Sequence, residues 1–374
     1  MNIQEMAKEI NSIIENDSKN ATYKFALLKA IISVVKRYNQ YLEEDGEDNF
    51  IPMGLVIEDW ILTYYPIIDY RYFIAQNYHE SINGGKQIGF RRAMNSVIEL
   101  FKPRGGYNEF YDIYMKNKFD ERENKVVLKL FKKVYKIIID QPMKRFGKSK
   151  HSSEYPIFQY IKTRNIKEIM KFDRKDLIDE YGKIRISKNL TTTFQLIGSF
   201  IVGENAILSQ WNRFSNEIIA NKNNKNLENV VLSRLEIKPE NVRYTAQVRK
   251  LIDERTECIW SGKKKIKFDV DHILPFSITK NNDLWNLGPA SAKINKIKSD
   301  KIPSVERLLE KKNNILKNWK ELHKNYSEQF VEEVRFNLIG KSFYEESNMF
   351  EVAFDSLIKK ANYYIEKCGY TEWN

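Results

Sequence analysis

The run Phe268-Asp269-Val270-Asp271-His272-Ile273-Leu274-Pro275 constrains this 374-residue chain more than any other. Side chains on a regular strand alternate between faces. Asp271 and His272 can therefore serve one site only where the strand stops or kinks. Pro275 cannot donate to a sheet ladder and is placed to end it. Residues 258–262 and 266–272 read as two short extended pieces around a glycine turn at Gly262. Residues 291–298 read as a short helix that presents Asn295 back towards the strand. Asn286 lies fourteen residues after His272, and Asn295 nine further on.

Charge gathers around this run. The net charge is +12, and residues 241–320 hold 18 Lys/Arg against 9 Asp/Glu, so most of the surplus falls in that window. A polyanion-binding site requires such a surplus; a solvated basic face is the plainer reading. Lys263, Lys264, Lys265, Lys267, Lys293, Lys296, Lys298 and Lys301 are the candidate phosphate contacts.

The remainder reads as mainly α, with two or three domains in a chain of this length. Its 21 Tyr, 21 Phe and 6 Trp are enough for a sizeable core. Residues 1–140 form a helical domain. Phe25, Leu28, Ile31, Ile32 and Val35 fall at helical spacing within 21–41, and Pro52 can open a helix running through Trp60 towards Tyr65. Residues 121–139 form a further helix with Lys125, Lys129, Lys132, Lys133 and Lys136 among its apolar positions. It leads into a basic tract at 144–150, either a second phosphate patch or an exposed basic helix and loop.

Residues 141–240 are a mixed, mostly helical middle region. Short strands are expected at 169–172 and 184–186, and a helix at 191–220 with Trp211 in the core. The polar loop 221–226 is a candidate boundary. Residues 241–305 carry the motif, introduced by a helix at 241–255, and 306–374 form a C-terminal helical region.

Two cysteines, Cys258 and Cys368, support neither a disulfide framework nor a four-cysteine zinc site within one chain. A reducing cytoplasm fits that usage. The N-terminus lacks the apolar core of a signal peptide, and the stretch 194–202 is too short to span a bilayer, so no membrane role is expected.

Phosphodiester hydrolysis needs an in-line nucleophile, a base, and positive charge on the developing phosphorane. His272 is the natural base, because imidazole titrates near neutrality. Hard oxygen donors suit Mg²⁺, with Mn²⁺ as a substitute, which assigns Asp271 and Asn295 to a metal.

Asp271, His272, Pro275, Asn286, Asn295, Lys298 and Asp300, taken together, resemble the HNH (ββα-metal, His-Me finger) endonucleases. With residue frequencies of about one in twenty, chance agreement at one location is on the order of one in a billion, and scanning erodes that by several decades. The resemblance covers about residues 256–303, and the composite string is most similar to stand-alone prokaryotic HNH proteins of restriction or phage defence. It implies a small ββα-metal finger, which the N- and C-terminal regions read above as helical would flank. It also implies that His272 is the general base, that Asp271 and Asn295 bind one divalent metal, and that Asn286 holds the loop behind the histidine. The implied activity is a metal-dependent endonuclease cutting DNA to leave 5′ phosphate and 3′ hydroxyl ends. Its partners would be DNA and a second copy of the chain or a defence-system protein.

Many HNH proteins staple this region with a zinc held by two Cys-x-x-Cys pairs. Here only Cys258 is nearby, so no structural zinc is expected. Trp260, Phe268, Phe276, Leu284, Trp285 and Leu287 are the candidates to stabilise the finger by packing. A catalytically silent DNA-binding or scaffold subunit of a defence complex is an alternative, as is a nuclease acting on RNA or single strands.

Overall fold

The computed structural model describes residues 5, 8, 10, 21–80, 86–146, 157–162, 171–202, 207–220, 230–235, 242–253, 256–264, 267–341 and 345–374. These are mainly helical, with a few small sheets. The chain divides into two compact units, Met1–Pro239 and Glu240–Asn374. Among the described residues no helix is long and apolar enough to cross a membrane.

In the first unit, helix α1 (Tyr23–Arg37) buries Phe25, Leu28, Ile31, Ile32 and Val35, the residues its sequence spacing aligns. A hairpin that the helical reading of 1–140 does not contain follows. Strands β1 (Glu43–Asp45) and β2 (Asp48–Pro52) pair antiparallel, with Asp45 opposite Asp48. The turn rests on Gly46, at φ +55°, where a left-handed backbone favours glycine. Pro52 closes β2 and stands as the N-cap of α2 (Met53–Ile68), just ahead of its first turn.

Helices α3 (Arg91–Phe101), α4 (Tyr107–Met115) and α5 (Glu121–Ile138) continue the unit. Strands β3 (Gln159–Ile161) and β4 (Lys183–Ser187) complete an antiparallel sheet in the order β1-β2-β4-β3. The expected strand at 184–186 lies inside β4. The expected strand at 169–172 does not form at Lys171 and Phe172, and Ile169 and Met170 lie outside the described residues. The expected helix at 191–220 is two helices, α6 (Lys188–Val202) and α7 (Ile207–Ala220), followed by α8 (Val230–Leu235). Trp211 is fully buried, and its indole donates to Gln76 Oε1 at 2.9 Å. The proposed boundary loop at 221–226 and residues 147–150 of the basic tract lie outside the described residues.

The second unit begins with α9 (Val242–Lys250), which stops short of the expected end at 255. Strand β5 (Phe268–His272) pairs antiparallel with β6 (Leu287–Ser291), setting Asp271 opposite Gly288 and His272 opposite Leu287. This differs from the expected hairpin. Residues 258–262 form a turn, with Gly262 at φ +68° and its N–H on the Cys258 carbonyl; the second strand comes from downstream. The turn still docks on the sheet, because Ile259 N–H donates to the Pro289 carbonyl at 2.9 Å. Ile266 lies outside the described residues.

Helix α10 (Ala292–Lys298) follows β6, capped by the Ser291 side chain. Strand β7 (Ile302–Pro303) then leads into α11 (Val305–Asn325), α12 (Ser327–Val334) and α13 (Met349–Asn362). Strand β8 (Glu372–Trp373) pairs parallel with β7. One core runs through this unit. Cys258, Trp260, Leu284, Trp285 and Leu287 share it with Ile315, Trp319, Phe354 and Leu357 of the C-terminal helices. Phe268 packs against it while partly buried, and Phe276 instead lies against the His272 ring, 5.5 Å between centroids.

Candidate active site

Strand β5 does end at His272. Beyond it the ladder is continued by one asparagine: Ile273 N–H donates to the Asn286 main-chain carbonyl, and Leu274 N–H to its side-chain Oδ1 at 2.8 Å. Asn286 Nδ2 donates to the carbonyls of Leu274 and Asn281 at 2.9 and 3.1 Å. Asn286 is fully buried, so these bonds replace the water its amide has lost. Its side chain fixes the turn immediately behind the histidine.

His272 is half-buried. Its Nε2 is 2.7 Å from Asn282 Oδ1. A carboxamide oxygen only accepts, so Nε2 carries the proton in this pairing and Nδ1 is left as the basic nitrogen. Burial lowers the imidazole pKa from its ordinary value. The Asn282 bond and the Asp271 charge work against that shift, and Lys298 adds to it. The net direction favours the neutral ring. Sequence reasoning missed Asn282; an asparagine ten residues downstream in a polar loop carries no signal of its own.

Asp271 points to the other face and is buried. Trp260 Nε1 donates to its Oδ2 at 2.8 Å, and Lys298 Nζ to its Oδ1 at 3.0 Å. Lys298 also donates to the His272 carbonyl at 2.7 Å. Lys298 was expected to face phosphates. Instead it is 0% exposed and ties α10 to the end of β5. Burial holds its ammonium below the usual lysine range, partly offset by Asp271. The pair is a buried one, where losing a single partner leaves an uncompensated charge.

Asn295 sits one turn before Lys298 on α10. It is half-buried, and its side-chain amide makes no hydrogen bond among the described residues. The donor set for a hard cation is then one carboxylate and one uncommitted amide oxygen. A carboxylate offers about four lone-pair positions. Trp260 and Lys298 take two on Asp271, which leaves capacity for a metal. Among the described residues no three His, Cys, Asp or Glu side chains converge, so water would complete the shell, as it commonly does for Mg²⁺. Cys258 is buried, and its Sγ accepts from the Ser291 N–H at 3.4 Å.

The remaining candidate lysines divide. Lys263, Lys267, Lys293 and Lys296 are exposed, Lys301 is half-buried, and none of these five has an ion-pair partner among the described residues. Lys264 bonds Glu257 at 3.0 Å, a carboxylate it shares with Lys317. Lys265 lies outside the described residues.

The loop carrying Asn282 and Asn286 is held from outside the finger. Glu333 accepts from Leu284 N–H at 2.6 Å, Trp319 Nε1 donates to the Trp285 carbonyl at 2.7 Å, and Asn318 Nδ2 donates to the Leu287 carbonyl at 2.9 Å. Asp283 accepts from Asn281, Trp285 and Asn337, each within 2.8 Å. The chain's C-terminal helices are thus the frame of the site. Opposite Asp271 the packing is close: a Cβ on Gly288 would come within 2.8 Å of Ile259 Cδ1, so the Ile259 side chain would have to shift.

Residues 258–304, which contain all of these groups except Glu257, Lys317, Asn318, Trp319, Glu333 and Asn337, match the family model described as HNH endonuclease. The finger is therefore nuclease-like at the level of its domain. No curated protein and no solved structure matches the chain. Residues 3–235, more than half of the sequence, match the family model described as Domain of unknown function (DUF8808), and the chain belongs to that family.

Proposed function

We propose that this chain is a Mg²⁺-dependent HNH endonuclease that hydrolyses DNA phosphodiester bonds, with a role in restriction or anti-phage defence. The observation that carries the reading is the setting of His272. One ring nitrogen is bonded to Asn282, the other is left basic, and the backbone behind the ring is pinned by Asn286 and Lys298. In the reading, Nδ1 takes the proton of the attacking water as it bonds to phosphorus and the 3′ oxygen leaves. Asp271 and Asn295 would hold the metal, which when bound would supply positive charge to the reacting phosphate. The exposed lysines Lys263, Lys267, Lys293 and Lys296 meet flanking phosphates. The likeness of the motif string to prokaryotic restriction and defence HNH proteins supports the cellular role, and two chains or two successive nicks would cut both strands.

One observation favours a second reading, a catalytically silent DNA-binding subunit: Asp271 is 5% exposed and both its oxygens are engaged within the protein. Supercoiled plasmid incubated with Mg²⁺ or Mn²⁺, modified and unmodified, separates the two. The nuclease reading expects metal-dependent nicking that EDTA stops and that His272→Ala abolishes while DNA binding is kept. Equal nicking by His272→Ala would overturn it, and DNA binding without nicking would favour the silent subunit.

A further inference from the structure

The first unit carries a groove of about 1100 Å³ lined by Lys86, Arg92, Lys129, Lys132, Lys133 and Lys136, with no carboxylate among its described lining residues. All six cations are exposed. The four α5 lysines fall at i, i+3, i+4 and i+7, which puts them on one helix face; Val127, Leu130, Phe131 and Val134 bury the other. Arg92 comes from α3 and Lys86 from the segment before it. Among the described residues Lys86, Arg92, Lys129, Lys133 and Lys136 have no ion-pair partner.

One wall is anchored beside Arg92, where Arg91 is buried on Glu80 and the Ile74 carbonyl. Six like charges held in one groove repel each other, and a polyanion relieves that repulsion.

We propose that this groove binds a nucleic-acid phosphate backbone, so that the DUF8808 region grips the substrate of the nuclease finger. The nuclease reading enters only in choosing nucleic acid over other polyanions. Shape and chemistry support the choice. Lys129 to Lys136 spans about 10 Å of helix, roughly three phosphates of one strand measured along a duplex axis. Among the described residues none of the exposed large apolar side chains lies in the groove. A protein interface would want apolar or aromatic groups at its centre, and a membrane-binding face would want them to insert.

The test uses full-length His272→Ala protein, binding a short DNA duplex and an RNA duplex of the same sequence across a salt series, followed by fluorescence anisotropy. Lys129→Ala/Lys133→Ala/Lys136→Ala should weaken binding on the order of tenfold and reduce the slope of log affinity against log salt by about 2 to 3. The matching triple Lys→Arg variant should keep both. Loss with either duplex supports the groove and identifies its ligand. Unchanged affinity and slope with both overturn it. Should the triple Ala variant fail to fold, Lys133→Ala alone carries the test, with a slope change of about 1 expected. Failure of the nuclease reading would appear separately, as wild-type protein that does not nick plasmid while the groove variant still loses binding.

Discussion

Asn286 and Asn282 are four residues apart and do different things. Asn286 is buried with three side-chain hydrogen bonds to the turn behind His272, whereas Asn282 is half-buried and, among the described residues, its side chain bonds only the imidazole. Asn286→Ala strands the Leu274 N–H and two carbonyls, each lost partner costing about 1–3 kcal/mol when buried. It should lower both the melting temperature and the nicking rate. Asn282→Ala should leave the melting temperature nearly unchanged and slow nicking by about tenfold or more, because the base loses its orientation. Parallel thermal melts and initial rates check the contrast; a large stability loss in Asn282→Ala would defeat it. The loop-holding place of Asn286 was legible only through the resemblance of its motif, and its partners Leu274 and Asn281 lie within twelve residues of it. The burial of Lys298 was not legible. It depends on Trp260 and Asp271 arriving from other segments, and a lysine in a basic run reads as solvated.

The helices of the first unit were legible where apolar spacing ran on, as in α1. The β1–β2 hairpin was passed over although Asp45-Gly46 is a strong turn signal; the strands are too short to show alternation. The pairing of β5 with β6 was misassigned because two candidate partners flank it, and a one-dimensional pattern does not choose between them. The basic groove was hidden for a related reason. The lysines of α5 were visible in the sequence, but Lys86 and Arg92 reach the groove from other segments, and a one-dimensional pattern does not bring them together. At this scale the α11 contact is a direct target. Trp319→Phe keeps most of the core volume and removes the bond to the Trp285 carbonyl. A loss of about 1 kcal/mol in stability is expected, with a measurable fall in nicking, checked by denaturant melts and plasmid assay. Full activity in a destabilised variant would show that this clamp does not support the loop's chemistry.

At the scale of the molecule, the match to the nuclease domain stops at residue 304, but the core that supports it does not. Residues 256–304 alone leave Trp260, Trp285 and Leu287 without the α11 and α13 side chains that cover them, and so small a piece has too little core to fold. We expect that fragment to be unfolded by circular dichroism, and residues 240–374 to fold cooperatively; a folded 256–304 fragment would refute this. The pairing of β7 with β8 extends the point. Trp373 meets Trp260 edge to face at 5.0 Å, and the Trp260 indole holds Asp271. A chain still on the ribosome has no Trp373 to offer until residue 373 has cleared the exit channel. The surroundings of Asp271 are thus completed only after synthesis has passed the whole finger and its helices, so a nascent chain carries the sequence of the proposed site well before it carries the site itself.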